Sequence, residues 1–217
     1  MKQGLAEFVA ILDKSGSMSG LESDTIGGYN SMLEKQKQVD GECVVTTVLF
    51  DHCYELLHDR IDIRAIQPIT AKEYQVGGST ALLDAMGTSI EKIAKAQKNT
   101  APEYRAEQVI FVIITDGQEN SSRVYDIDKI KSLVEQHKEQ DGWEFIFLGA
   151  NIDAIEVARH FGIDEDRAQS FHADKEGVAL NFLTLGESVT AYRQSGSMDG
   201  NWKKKIEGDY KRRGGKY

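Results

Sequence analysis

Short apolar runs recur along the chain, and between them apolar residues repeat every three or four positions. The runs predict β-strands, and those with almost no polar residue are typical of strands buried on both faces of a parallel sheet. The helical repeats between them predict alternating strands and helices, as in a three-layer α/β domain. Strands are predicted at 8–12, 44–50, 53–57, 109–114, 143–148 and 168–171, and helices around 26–33, 83–93, 127–134, 153–161 and 175–194.

The second and third predicted strands are separated only by Asp51 and His52. A parallel crossover needs ten or more residues, so these strands are predicted to form an antiparallel hairpin, with the third strand at the sheet edge. In this register Phe50 faces Cys53, and Cys43 lies about seven residues farther along, roughly 23 Å at the rise of a strand. Because a disulfide spans at most ~7 Å between Cα atoms, both cysteines are predicted to be free thiols.

The composition is that of an ordinary folded domain. Hydrophobic residues make up 40% of the 217 residues, with two cysteines and two prolines, which excludes a disulfide-stapled or a disordered chain. No run approaches the ~18 apolar residues of a membrane-spanning helix, and no secretory signal is evident near Met1. We therefore expect a cytoplasmic protein with no membrane partner.

The charge is unevenly distributed along the chain. The formal net charge is −9, yet residues 201–217 contain seven basic and two acidic residues, a net of +5 that leaves −14 for residues 1–200. The acidic balance argues against nucleic-acid binding over the whole surface. The sequence predicts a single domain over 1–200 and a basic, solvated C-terminal tail over 201–217. The alternative is that this tail, anchored by Trp202, contacts nucleic acid.

Oxygen-bearing side chains occur in three loops at the ends of predicted elements. Asp13, Ser15 and Ser17 follow the first strand, where a loop containing glycine lets their side chains converge on one point. Thr80 lies after a pair of glycines at the start of a helix, and Asp116 follows the fourth strand. If the first and fourth strands are neighbours, Asp13 and Asp116 meet at one edge of the sheet. Hard oxygen donors of this kind suit Mg²⁺.

Other readings of these residues remain open or fail on spacing. An EF-hand loop starting at Asp13 would need Gly and Glu where Met18 and Asp24 stand. Any single one of the candidate residues could equally cap a helix or fix a turn. Glu119 and Asn120 could line the rim of the site or be solvated turn residues. The five histidines show no ligand spacing, so none is given a role.

Taken together, Asp13-x-Ser15-x-Ser17, Thr80 and Asp116 resemble the metal-ion-dependent adhesion site of von Willebrand factor A domains. The resemblance covers about residues 5–171, and no motif position is substituted. It implies a Rossmann-like, mostly parallel sheet with one antiparallel edge strand and helices on both faces. It also implies that Ser15 and Ser17 bind the cation directly, that Asp13 and Asp116 bind directly or through water, and that Thr80 joins in a state-dependent way.

The function implied by the resemblance is that of a non-enzymatic interaction module. Its Mg²⁺, with Mn²⁺ or Ca²⁺ as alternatives, would bind an Asp or Glu side chain of a protein partner, in a standalone intracellular protein of the bacterial or phage type. The competing hypothesis is a metal-dependent hydrolase or phosphoryl-transfer enzyme, because such a cation can also polarise phosphate or activate water. The sequence shows no evident general base and no phosphate-binding loop, which favours the interaction module.

Overall fold

The centre of the protein is a single six-stranded sheet. The computed structural model describes residues 1–215, without the side chain of Gln3. Within these residues the strands are β1 (Lys2–Asp13), β2 (Glu42–Phe50), β3 (Tyr54–Asp62), β4 (Ala106–Thr115), β5 (Glu144–Ala150) and β6 (Ala168–Phe171). Their order is β3-β2-β1-β4-β5-β6. All neighbouring pairs are parallel except β2 and β3.

Helices cover both faces of this sheet. They are α1 (Glu22–Lys37), α2 (Leu82–Asn99), α3 (Ile127–Asp141), α4 (Ala154–His160), α5 (Lys175–Ser195) and α6 (Lys204–Arg212). The apolar side chains of α1, α5 and α6 pack in one core on one face, and those of α2, α3 and α4 pack in a second core on the other. The protein is therefore the predicted three-layer α/β domain.

The central strand β1 shows why its sequence is almost continuously apolar. Phe8 and Leu12 point into the core beneath α1 and α5, whereas Val9 and Ile11 point into the core beneath α2 and α3. Successive side chains of a strand face opposite sides of a sheet, so a strand with a core on each side needs apolar residues at every position.

The hairpin of β2 and β3 is confirmed, with β3 at the edge of the sheet. The predicted register is wrong by one residue, because Phe50 pairs with Tyr54 and Cys53 belongs to the turn. The cause is the Asp51 side chain, whose Oδ1 accepts the N–H of Cys53 at 2.7 Å and so adds a third residue to the turn. Both cysteines are free, as predicted, with Cys43 buried and Cys53 exposed.

The C-terminal segment differs from the solvated tail that its charge predicts. Trp202 and Ile206 are buried in the core beneath α5, and the indole N–H of Trp202 donates to the Asp166 carbonyl at 2.7 Å. The solvated-end prediction is therefore wrong for Trp202 and Ile206, whereas Lys204, Lys205, Lys211 and Arg212 are exposed. Lys216, which contributes to its charge, lies outside the described residues. That residues 1–200 form a domain of their own stays a prediction.

Two basic residues of the C-terminal segment form ion pairs with carboxylates elsewhere in the protein. Lys205 Nζ lies 2.6 Å from a Glu187 carboxylate oxygen, and Arg213 forms an ion pair with Asp174.

Among the described residues, every helix is too short or too polar to span a lipid bilayer.

Candidate metal centre

Asp13 and the loop after β4 meet at the carboxyl-terminal edge of the sheet. β1 pairs with β4 in parallel, with Leu12 opposite Ile114. The strands end at Asp13 and Thr115, and Thr115 Oγ1 donates to Asp13 Oδ2 at 2.6 Å. The prediction that the first and fourth strands are neighbours is therefore confirmed, and Asp116 follows directly in the chain.

The loop after β1 folds back on its own carboxylate. Asp13 Oδ1 accepts the N–H of Ser15 at 2.7 Å, and the Ser15 and Ser17 hydroxyl oxygens lie 3.0 Å apart. A short 3₁₀ turn over Gly16–Met18 brings the two hydroxyls to the same side. Ser15 is buried and Ser17 is exposed, so the pair runs from the interior to the surface.

The loop that carries Thr80 is fastened to the loop after β1 by two backbone hydrogen bonds. Gly16 N donates to Gly78 O at 3.0 Å, and Gly77 N donates to Lys14 O at 2.9 Å. Gly78 has a φ of +73°, in the left-handed region that favours glycine. These contacts hold buried Thr80 at the edge of the sheet beside the serines.

Gly117 shows how closely the three loops approach one another. A Cβ placed on this glycine would lie 3.1 Å from Ser17 Oγ and 3.4 Å from Thr80 Oγ1. The residue after Asp116 therefore lies next to the hydroxyls of both other loops, with room for little more than a hydrogen in place of a side chain. The structure brings all five predicted site residues to one small region.

The two carboxyls of this region lie in an environment that disfavours their charge. Burial raises the pKa of Asp116, the nearby charge of Asp13 raises it further, and the Ser17 hydroxyl opposes both effects. Burial also raises the pKa of Asp13, against the hydrogen bonds from Thr115 and Ser15. Lys14, which stands between Asp13 and Ser15 in the chain, forms an ion pair with Glu55 instead, at 2.8 Å.

Asp116 offers a direct test of whether the region suits a cation. Its Oδ1 is buried and has no hydrogen-bond partner among the residues that the structure describes. Buried polar atoms in native proteins almost always have partners, and a site for an ion is one standard explanation where they have none. Two carboxylates and three hydroxyls supply only oxygen donors, which suit a hard divalent cation. The residues present therefore fit a metal ion.

Asn120 and Glu119 fasten the loop after β4 to the start of α2. Asn120 Oδ1 accepts the N–H of Thr80 at 2.9 Å, and the Asn120 N–H donates to the Thr80 carbonyl at 3.0 Å. Glu119 accepts the N–H of Leu83 at 2.9 Å. The sequence interpretation of these two as rim or solvated turn residues misses this role. Their position just after a strand end indicates that they lie near the site. Their hydrogen-bond partners are about 40 residues earlier in the chain, so the sequence alone does not identify them.

The fold of the chain is one that solved structures already show. A mostly parallel sheet with one antiparallel edge strand, flanked by helices, is the fold of von Willebrand factor A domains, and solved structures of such domains match it. No sequence model of a protein family matches the chain, and no curated protein matches it.

Among the solved structures, a von Willebrand factor type A protein from Catenulispora acidiphila matches with a TM-score of 0.58 and 14% identity over 85% of this chain. The von Willebrand factor domain of the type V pilus tip protein Mfa5 from Porphyromonas gingivalis matches with a TM-score of 0.56 and 11% identity over 89% of this chain. Proximal thread matrix protein 1 from the mussel byssus, in a structure with a zinc-occupied metal-ion-dependent adhesion site motif, matches with a TM-score of 0.58 and 13% identity over 85%.

The length of these proteins differs from that of this chain. The matched region spans 42% of the Catenulispora chain and 46% of the mussel chain, but 98% of the Mfa5 domain. The chain thus has the length of one von Willebrand factor A fold. It matches less than half of the Catenulispora protein and less than half of the mussel protein.

Proposed function

We propose that this protein is a von Willebrand factor A module that binds a divalent cation through Asp13, Ser15, Ser17, Thr80 and Asp116. The observation that carries the proposal is the unpartnered, buried Oδ1 of Asp116 close to a second buried carboxyl. The five proposed ligands are all oxygen donors, so Mg²⁺ is the expected cation, with Mn²⁺ or Ca²⁺ as alternatives. The zinc-occupied motif of the mussel protein supports a divalent cation at such a site.

We further propose that the cation recruits an acidic side chain of a protein partner. Two carboxylates are the only charged donors of the set, and Mg²⁺ usually keeps several exchangeable waters. Exposed Ser17 marks the side on which an external Asp or Glu would replace such a water. The net charge of −9 repels acidic groups in general. A bound cation would therefore restrict acidic partners to this one place.

The proposed role is that of a cytoplasmic, non-enzymatic interaction module. Its two cysteines are both free, which fits a reducing compartment. On the same ground we propose an intracellular protein of the bacterial or phage type. Lys205 and Arg213 of the C-terminal segment form ion pairs with carboxylates of the same chain, so we assign this segment no nucleic-acid partner.

A cation-dependent capture experiment tests the proposal. Immobilised protein should retain its partner from extract in Mg²⁺ and release it in EDTA. Asp116→Asn should retain nothing in either buffer, because it removes a charged ligand at constant size. Asp128→Asn, an exposed change of the same chemistry on α3, should behave like the wild type. Capture that is unaffected by EDTA or by Asp116→Asn would contradict the proposal.

The non-enzymatic part has its own test. Purified protein is incubated with a generic phosphoester and Mg²⁺, alongside Asp116→Ala. We expect no turnover by either protein. Hydrolysis by the wild type that is lost in Asp116→Ala would contradict this part and favour a metal-dependent hydrolase.

A further inference from the structure

The turn between β2 and β3 brings three different metal-binding side chains together. A carboxylate oxygen of Asp51, a ring nitrogen of His52 and the sulfur of Cys53 all lie within 4.8 Å of one another. Asp51 is largely buried, whereas His52 and Cys53 are exposed. None of the three belongs to the set at the ends of β1 and β4. We propose that this turn is a second cation site, specific for a borderline-soft ion such as Zn²⁺.

The backbone of the turn is held in place before any cation binds. Asp51 Oδ1 accepts the N–H of Cys53 at 2.7 Å, and the Asp51 N–H donates to the Cys53 carbonyl at 3.2 Å. The Asp51 carbonyl accepts the N–H of Ala81 at 2.8 Å, which anchors the turn to the start of α2. Because the ligands are consecutive residues of an anchored turn, little backbone ordering remains for the cation to impose.

The donor set decides the class of the cation. Imidazole nitrogen and thiolate sulfur favour Zn²⁺ or Co²⁺, whereas Mg²⁺ takes oxygen ligands. Tetrahedral zinc with its usual bond lengths places ligand atoms roughly 3.3–3.8 Å apart. The proposed site requires a rotation of the exposed His52 and Cys53 side chains to close the remaining gap. On binding, the Cys53 thiol gives its proton to solvent and the sulfur forms the metal bond as thiolate.

Three ligands from the chain leave one tetrahedral position open for water or a further ligand. The turn lies close to the first proposed cation site, so the open position lies in the neighbourhood of that site. A Cβ placed on Gly78 would lie 2.3 Å from His52 Nδ1, so the missing side chain at Gly78 gives His52 its space. Gly78 also contacts the loop after β1 through its carbonyl. The turn therefore lies directly beside the Thr80 loop and shares none of its proposed ligands.

Cobalt titration of tag-free, reduced protein tests this site. Mg²⁺ is present in excess, so that hard-cation sites are filled. We expect one Co²⁺ per chain with a near-ultraviolet thiolate-to-cobalt charge-transfer band, bleached by an equivalent of Zn²⁺. The chain has only two cysteines, and Cys43 is buried. Cys53→Ser should therefore abolish the band, and Cys43→Ala, the matched control, should retain it.

Variants of the other residues separate this site from the first. Asp51→Asn, which keeps an oxygen to accept the Cys53 N–H, and His52→Ala should each weaken Co²⁺ binding at least about tenfold. Asp13→Ala should leave the band unchanged, whatever it does to Mg²⁺. Three results would overturn the proposal: no band in the wild type, a band that survives Cys53→Ser, or unchanged affinity in both Asp51→Asn and His52→Ala.

Discussion

Asp116 places its Oδ1 in the interior, where no described residue donates a hydrogen bond to it. Burial and the charge of Asp13 raise its pKa in the folded protein, whereas the unfolded chain ionises at the ordinary value. Between these two pKa values the native state holds more protons than the unfolded state. The contribution of Asp116 to the unfolding free energy of the metal-free protein therefore falls as pH rises through that interval. A bound cation offsets this loss of stability because it binds the ionised carboxylate.

The variant Asp116→Asn tests this balance. It removes the buried charge at nearly constant size, so the metal-free variant should melt at a higher temperature than the metal-free wild type. Mg²⁺ at 100 times its Kd should stabilise the wild type by about 2.7 kcal/mol, or about 5–10 °C for a domain of this size. Mg²⁺ should not shift the variant. Calorimetric melts with EDTA and with Mg²⁺ measure both effects.

The same pair of proteins gives the pH dependence. In EDTA, the difference in unfolding free energy between Asp116→Asn and the wild type should grow as pH rises above the ordinary pKa of an aspartic acid, since only the wild type acquires the buried charge. Urea unfolding at several pH values measures it. A difference that shrinks over this range would mean that the carboxylate is stabilised in the metal-free state.

Gly117 provides a steric test at the same scale. Gly117→Ala should lower Mg²⁺ affinity by about tenfold, or about 1.4 kcal/mol, because its methyl group would lie 3.1 Å from Ser17 Oγ and push that hydroxyl aside. Gly77→Ala is the matched control, since a Cβ there meets no atom within 4 Å. Titration calorimetry compares the two, and equal affinities would show that Ser17 does not bind the cation.

At the scale of elements, Asn120 joins the loop after β4 to the loop that carries Thr80. Its side chain and backbone make two hydrogen bonds with Thr80, so the two loops are held at a fixed separation. The Asp116 carboxylate and the Thr80 hydroxyl belong to these two loops. The position of one proposed ligand relative to the other therefore depends on this residue.

We expect Asn120→Ala to weaken Mg²⁺ binding and to destabilise the fold by about 1–3 kcal/mol, because the Thr80 N–H loses its acceptor. Ser121→Ala is the control, since the buried hydroxyl of neighbouring Ser121 has no partner within the described part of the chain, so that its removal breaks no hydrogen bond there. Chemical denaturation and titration calorimetry measure the two effects. Equal behaviour of both variants would contradict the positioning role.

Sequence patterns predict most elements because each depends on a local periodicity. The apolar runs of β1, β4 and β5 and the helical repeats of α1 to α3 are visible without any tertiary contact. The β2–β3 register cannot be predicted from such a pattern, because a hydrogen bond to the Asp51 side chain determines how many residues form the turn. Helix α6 is also missed, since Trp202 and Ile206 are two apolar residues within a strongly charged segment.

At the scale of the whole molecule, α6 completes the core on the α5 side of the sheet. Trp202 and Ile206 lie with residues of α1 and α5 in one continuous cluster. We expect Trp202→Ala to destabilise the entire domain by about 3–5 kcal/mol. Lys204→Ala, an exposed change in the same segment, should cost less than about 0.5 kcal/mol. Urea unfolding measures the stability of both variants. Equal unfolding free energies would show that Trp202 does not stabilise the domain.

The candidate site is predictable from sequence to the extent that its residues follow strand ends. Asp13 and Asp116 come directly after β1 and β4, and parallel strands bring their carboxyl ends to one edge. The contacts that complete the site are long-range. Thr115 binds Asp13 across 102 residues, and Asn120 binds Thr80 across 40. Such pairs depend on how the loops pack together, which no local pattern encodes.

The central claim is that Asp13, Ser15, Ser17, Thr80 and Asp116 hold one hard divalent cation. Its most direct test is isothermal titration of Mg²⁺ into tag-free protein stripped with EDTA and dialysed, alongside Asp13→Ala. The account predicts one Mg²⁺ per wild-type chain and none for Asp13→Ala, whose circular dichroism spectrum should match that of the wild type. No binding by the wild type, or equal binding by a folded Asp13→Ala, would contradict it.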